Sequence, residues 1–342
     1  MKRKNELSLL NIIFCLLVIF IHIASAPIAG LSKESWQYGV FFVPWRLSSF
    51  VVQGFIFLSG LKMFLKTDSE SYKKYYITRF NKVVVPYIFA VVLFYGYFLN
   101  RGYFGFNAKE LLGYVLFGDL VAHFYFVIAI VQFYLLKPLW KLVTEKVSPK
   151  IAIPVSVILM ILSKYIFADF VNNDRLFTTY IGYWIMGCYA GKYYDTFLEN
   201  VKKHKKAYIS VFVIVAIIEA VVSYRQFVYG GMVCLEELHI LYSISAILFT
   251  LCIALKFGNG IMERKTFGRI DNASYYIYLI HPLIIFLVNE NLIKWGITDI
   301  GAGFVIRAVV TYFVSIALSV VYMETKRRIK RKIKCLNSEK QK

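Results

Sequence analysis

The sequence has few acidic residues and few cysteines. It contains 20 Asp and Glu against 40 Lys and Arg, so the net charge is +20. The five cysteines are scattered without a Cys-X-X-Cys pair, which argues against a disulfide framework and a metal site. No low-complexity linker, short repeat or stretch suited to a soluble domain interrupts the chain. These absences exclude a disulfide-rich secreted protein and a string of soluble modules.

Apolar residues, in contrast, are abundant and occur in long runs. They make up 59% of the 342 residues, whereas a soluble domain has about 45–50%. Ten runs approach the ~20 residues that a helix needs to cross a bilayer. The sequence therefore predicts an all-α, polytopic membrane protein with ten transmembrane helices, located in the cell membrane. The runs are residues 8–27, 39–61, 83–100, 122–140, 151–168, 176–194, 207–224, 238–256, 273–291 and 300–323.

The first run also has features of a signal peptide. Basic residues 2–4 precede it, and residues 24–26, Ala-Ser-Ala, resemble a cleavage site. Because many more apolar runs follow, and basic residues before a first helix also serve as an anchor, we interpret this run as the first transmembrane helix.

The basic residues lie in short clusters between the apolar runs. On a soluble protein a net charge of +20 would suggest a nucleic-acid partner, but this placement indicates membrane topology and no nucleic acid. With the N-terminus inside, 31 Lys and Arg lie on the inner side and seven on the outer side. This alternation predicts that both termini are cytoplasmic, with 326–342 as a basic tail on anionic lipid. The inner segments are 1–7, 62–82, 137–150, 192–206, 256–270 and 324–342.

Polar side chains inside the predicted spans are costly and are therefore functional candidates. Asn11 and His22 are eleven residues apart, about three turns or roughly 16 Å of helix, so they share one face. All candidates except Asn11 lie in the outer half of the predicted topology, which predicts a polar cavity open to the outside. The others are Arg46, Glu219 and Arg307 within spans, and Asp119, His123, Glu236, Glu237 and His239 at the starts of spans.

Each candidate also has a purely structural interpretation. His22 could be a packing histidine of the bundle, and Arg46 with Glu219 could form an ordinary buried ion pair. Arg307 could extend its side chain to the membrane interface. The two histidines at the starts of spans are interpreted as solvated at helix mouths.

The run 176–194 is the least hydrophobic, because it contains Gly182, Gly187 and Gly191. Small residues about one turn apart let two helix backbones approach each other. The sequence therefore predicts a close helix–helix contact along this run.

Six short blocks occur in order along the chain. The first contains Asn11, ten further residues and His22, and a later one contains His281-Pro282. The blocks are residues 7–22, 53–60, 75–86, 123–138, 187–194 and 274–282. Together they resemble the bacterial membrane acyltransferase 3 family over nearly the whole chain. By this resemblance residues 1–325 are an acyltransferase 3-like membrane domain, with 75–86 as a basic loop leading into the third helix.

The resemblance implies transfer of an acyl group, commonly acetyl, from a cytoplasmic acyl-CoA to a hydroxyl of a surface glycan or other envelope molecule. Acyl-CoA would be a donor substrate rather than a bound cofactor. A sugar hydroxyl is a poor nucleophile until its proton is removed, and a neutral imidazole can take that proton. We therefore predict His22 as the general base. Arg46 or Arg307 could stabilise the oxyanion, and Glu219 and His123 are further candidates for contacting the acceptor.

The phosphates of the donor require cations on the inner side. Lys73, Lys74, Arg79 and Lys82 lie in an inner segment and are the predicted donor-binding residues. The alternative interpretation is that these four residues only set the topology.

Asn11 departs from the family pattern, which has Arg or Lys at this place. Either a nearby cation, Arg3 or Lys4, takes over its role, or the protein is altered in function. The alternative function is a transporter or flippase for an envelope polysaccharide or lipid-linked glycan, and a sensor or scaffold without turnover is a third class.

Overall fold

The computed structural model describes residues 4–65, 71–231 and 235–339, and these residues form an all-helical chain. The prediction of an all-α protein is confirmed. Shorter helical turns occupy Phe80–Val84, Ala122–Phe124, Asn173–Arg175 and Phe177–Tyr180. The α-helices are α1 (Asn5–Gly30), α2 (Trp36–Ser48), α3 (Val51–Phe64), α4 (Tyr72–Arg79), α5 (Val85–Asn100), α6 (Ala108–Phe117), α7 (Tyr125–Leu135), α8 (Lys137–Lys146), α9 (Pro149–Ile166), α10 (Ile181–Lys192), α11 (Tyr194–Lys203), α12 (Lys205–Tyr229), α13 (Leu235–Met262), α14 (Lys265–Lys294) and α15 (Ile300–Glu339).

Eight helical segments of the described chain are long and apolar enough to cross a membrane. A ninth forms if α6 and the segment Ala122–Leu135, which are bent by 51°, count as one broken span. The chain is therefore a multi-pass membrane protein. Two of the ten predicted spans fall short. The span 176–194 does so because α10 has only 12 residues, about 18 Å of helix, and 122–140 counts only as part of the bent pair.

The segment 75–86, predicted as a basic loop, is helical instead. Ser71 caps α4 by accepting the backbone N–H of Lys74, and the helix continues through a π-helical turn at Phe80–Val84 into α5. Pro86 lacks the N–H that would bond the carbonyl four residues earlier, and the widened turn lies at that place. The prediction of a loop here is wrong, because the sequence between Ser71 and Pro86 contains no glycine or proline to interrupt a helix.

The chain divides into two compact units. Unit 1 consists of residues 1–49, 220–232 and 250–342, and unit 2 consists of residues 50–219 and 233–249.

In unit 1, α1 and α14 run in the same direction and α15 runs against both. Contacts between α1 and α14 advance together along the two helices, from the Asn11–Asp271 hydrogen bond to the His22–His281 ring contact. Contacts between α1 and α15 run in opposite order, since the Tyr312 hydroxyl donates to the Leu16 carbonyl while Phe20 meets Phe304. The start of α1 and the end of α15 therefore lie at the same end of unit 1.

In unit 2, α10 packs closely against α3 through glycines. A Cβ on Gly187 would lie 2.2 Å from the Phe57 carbonyl oxygen, and one on Gly191 would lie 2.3 Å from that of Leu61. No side chain fits at either position without moving backbone. The predicted close helix–helix contact is confirmed. These pairs also advance together, so α10 runs parallel to α3.

Candidate functional site

Two histidines meet where α1 packs on α14. The rings of His22 and His281 lie 5.1 Å apart between centroids and are tilted by 50°. His281 is fully buried, while His22 is half-buried. The sequence-based prediction of the site included His22 but omitted His281, although His281 lies in one of the blocks that carry the family resemblance.

The backbone of α14 fixes the ring of His281. Pro282 has no N–H, so the carbonyl of Tyr278, four residues earlier, does not receive a helical hydrogen bond from it. The Nδ1–H of His281 donates to this carbonyl at 2.8 Å and to that of Ile277 at 3.2 Å. With Nδ1 carrying the proton, the neutral ring has its lone pair on Nε2. The His-Pro pair therefore supplies an imidazole of fixed orientation.

A second polar cluster lies nearer the start of α1. The Nδ2 group of Asn11 donates to Asp271 Oδ1 at 2.8 Å and to Ser274 Oγ at 2.7 Å. The thiol of Cys15 donates to the Ser274 carbonyl at 3.5 Å. Asn11, at the position where the resemblance implies a basic residue, thus contacts the Asp271 carboxylate on α14. Asp271 and Ser274 were not predicted, because nothing in the sequence pairs α1 with α14.

The two arginines that the sequence placed within spans hydrogen-bond to neutral side chains. Arg46 Nε donates to Ser223 Oγ at 3.0 Å, and Arg307 Nε donates to Asn289 Oδ1 at 2.6 Å. Both side chains are half-buried. Their roles in stabilising an oxyanion stay predictions.

Unit 2 contains a buried carboxylate–imidazole pair. Glu219 is fully buried, and the Nδ1–H of His239 donates to its Oε1 at 2.8 Å. A carboxylate in this position holds the ring and leaves Nε2 as the acceptor nitrogen. Glu219 was a predicted acceptor-binding residue, whereas His239 was not. The role of Glu219 in binding the acceptor stays a prediction.

The interpretation of the two histidines at the starts of spans as solvated is wrong. His123 is 3% exposed and His239 is 7% exposed. His123 lies against aromatic rings, 4.3 Å from Phe124 and 6.1 Å from Phe94 between centroids. Contact of His123 with the acceptor stays a prediction.

The four predicted donor-binding cations lie on α4 and the turn that follows it. Lys73, Lys74 and Lys82 are exposed to the surroundings of the protein. The guanidinium carbon of Arg79 lies 4.5 Å from the centre of the Tyr134 ring and 5.3 Å from that of Tyr75. Such a cation–π arrangement holds the charge in place. The four cations thus lie on one continuous helical segment. Their contact with the donor stays a prediction.

Within the described ranges no group of three or more His, Cys, Asp and Glu side chains is arranged to hold a metal ion.

Comparison with known proteins places this chemistry in context. Residues 4–324 match the model of a family described as an acyltransferase domain, the acyltransferase 3 family. The matched residues include both members of the His22–His281 pair and the Asn11–Asp271 contact.

Curated relatives are found in Staphylococcus aureus. A probable poly-beta-1,6-N-acetyl-D-glucosamine export protein of strain MSSA476 is 25% identical over 309 residues, which cover 83% of this chain and 83% of the relative. The protein of the same description from strain MRSA252 is 24% identical over 306 residues, with the same coverage. No solved structure matches the chain.

Proposed function

The chain belongs to the acyltransferase 3 family, and we propose that it transfers an acyl group, acetyl, from a cytoplasmic acyl-CoA to a hydroxyl of a cell-surface polysaccharide or another envelope molecule. Relatives described as polysaccharide export proteins support a polysaccharide acceptor. The family supports an acyl donor, and the inner-side cations support a donor that carries phosphates.

The His22–His281 pair is the observation that carries this proposal. Acyl transfer to a hydroxyl requires a neutral base beside the attacking oxygen. Two adjacent imidazolium ions would repel each other, which disfavours protonation of both rings at once and favours a neutral base. His281 is fully buried and held by its carbonyl contacts, so we assign half-buried His22 as the ring that reaches the substrate.

In the proposed reaction the acceptor oxygen attacks the thioester carbon while His22 takes the hydroxyl proton. The new C–O bond forms, the C–S bond breaks, and the proton passes to the leaving thiolate of CoA. Arg46 or Arg307 stabilises the oxyanion of the intermediate, since a preorganised cation acts where charge develops. Glu219 and His123 contact the acceptor. Lys73, Lys74, Arg79 and Lys82 attract the donor to the inner side.

The experiment replaces His22 in cells and follows the mass of the surface glycan. His22→Ala and His22→Gln should both abolish acylation, because neither side chain takes a proton at neutral pH and a general base contributes about 10²–10⁴-fold. Membrane-inserted protein should accumulate to the normal level.

His204→Ala is the matched control, since His204 is an exposed histidine outside the spans, and it should acylate normally. Wild-type acylation by both His22 variants would remove His22 from the mechanism.

The alternative function is export of the polysaccharide, which the descriptions of the relatives favour. The same His22 variants separate the two functions. A loss of acyl groups with normal amounts of surface polymer supports the transferase. A fall in surface polymer with normal acylation of the remainder supports the exporter.

A further inference from the structure

We infer that a lysine-lined cavity in unit 2 is the seat of a phosphate group of the donor, and this inference rests on the proposed function. The cavity has a volume of about 210 Å³, several times the ~30 Å³ share of one water in the liquid. It is therefore large enough for a phosphate group. It is lined by Met63, Phe64, Lys137, Lys141, Thr144, Glu145 and Lys192.

Three separate parts of the chain form this cavity: the end of α3, the helix α8 and the end of α10. Each part belongs to a segment that the distribution of Lys and Arg predicts to be cytoplasmic, namely 62–82, 137–150 and 192–206. The packing adds that these three segments, far apart in the sequence, meet at one cavity. In the predicted topology this cavity lies on the side where an acyl-CoA is available.

The lysines of the cavity are held by defined contacts. Lys137 is 7% exposed, and its ammonium lies 4.3 Å from the centre of the Tyr75 ring. The ammonium of Lys192 donates to the Thr144 carbonyl. Lys141 lies 3.9 Å from Glu145. The lining thus carries three ammonium groups and one carboxylate, a net positive charge.

A phosphate group suits this lining better than other anions of the donor would. Each ammonium has three donors and acts as a compact point charge, and a phosphate offers several acceptor oxygens that can meet more than one lysine. A partly buried lysine is also screened less by solvent than an exposed one. Of the cavity lysines, Lys137 is buried, Lys141 is half-buried and Lys192 is exposed. Lys73, Lys74 and Lys82 are exposed and do not line the cavity, so they attract the donor without enclosing it.

The test measures binding of CoA to the purified full-length protein in nanodiscs of phosphatidylcholine by calorimetry. Lys141→Gln and Lys192→Gln should each weaken CoA binding by about tenfold, the loss expected for one charge-assisted hydrogen bond. Adenosine 3′,5′-bisphosphate should compete with CoA in wild type. Lys150→Gln removes an exposed lysine of the same inner segment and should leave CoA affinity unchanged.

The other possible results contradict either the cavity inference or the proposed donor. Wild-type CoA affinity in both cavity variants overturns the inference and leaves the proposed function intact, with the donor bound elsewhere. If wild type binds no CoA, the donor of the proposed function is wrong. If the cavity variants lose binding of short-chain phosphatidylglycerol but keep wild-type CoA affinity, the cavity is a lipid-headgroup site, and the inference fails.

Discussion

Asn11 lies at a position whose neighbours suit a positive charge. Its amide donates to the Asp271 carboxylate at 2.8 Å, and an arginine or lysine side chain there would meet the same acceptor. A half-buried carboxylate stabilises a nearby cation, whereas a cation without a counter-charge pays for its desolvation. These surroundings therefore suit a basic residue at position 11, although this chain has asparagine there.

Asn11→Arg should consequently fold and insert normally, and acyl transfer should rise or stay unharmed. The double variant Asn11→Arg with Asp271→Asn should lose about 1–3 kcal/mol of stability relative to the single variant, since a charged group is left without its partner. Thermal unfolding in detergent measures the difference, with Asp271→Asn alone as the control. Equal stability of the single and double variants would show that Asp271 does not receive the cation.

The residue scale also shows how far the sequence could predict the site. Helical periodicity correctly placed Asn11 and His22 on one face of α1, because that face depends only on local geometry. It could not predict that His281 and Asp271 lie opposite them. Those partners are about 260 positions away, and their pairing depends on the packing of whole helices rather than on local sequence.

At the scale of the element, the close contact of α10 with α3 depends on glycines, which have no side chain to separate the two backbones. Gly187→Ala should destabilise the protein, because the new methyl group would lie 2.2 Å from the Phe57 carbonyl oxygen and the helices must separate. Overpacking of this kind costs about 1–3 kcal/mol. Thermal unfolding of the solubilised protein measures the loss.

Gly96→Ala is the matched control, since a methyl group at this position of α5 meets nothing within 4 Å. It should be neutral or stabilise by about 0.5–1 kcal/mol, because alanine favours the helix over glycine. Stability of Gly187→Ala equal to that of wild type would contradict the close packing.

Two elements show which structural features could be predicted from the local sequence and which could not. The glycines of 176–194 predicted the close contact, because small residues one turn apart have one structural consequence in any bundle. The helix at Tyr72–Asn100 was predicted only from residue 83 onwards, since the basic residues of α4 made its sequence look like a loop between spans. Propensity and capping at Ser71 outweighed that composition.

At the scale of the whole molecule, the number of crossings follows from the direction of two helices. In unit 1, α1 and α14 run parallel, so the chain between them must cross the membrane an odd number of times. Six candidate spans lie between them if the bent pair counts as one. We predict that α10, with the helical turn before it, supplies the seventh crossing. It is antiparallel to α9, since Ser163 meets Thr178 while Val157 meets Gly182, and it runs parallel to α3.

We therefore predict ten crossings with both termini cytoplasmic. Reporter fusions after residues 70, 145, 203, 262 and 340 should read cytoplasmic, and those after 33, 107, 172, 230 and 296 should read external. The pair 172 and 203 tests α10 directly, and the same reading at both would remove it as a span. Opposite readings at the start and the end of the chain would contradict the antiparallel packing of α1 and α15.

The helix α15 is longer than the lipid is thick. The helix runs for 40 residues without interruption, about 60 Å, whereas the hydrocarbon core is about 30 Å thick. The last turns of α15 therefore extend beyond the lipid as a rigid helix, here called the strut, rather than as a flexible linker. The Lys326 ammonium donates to the Tyr276 hydroxyl on α14 at 2.8 Å and braces the strut where it leaves the bundle. A protein fused to this end would be held at a set distance and direction from the membrane.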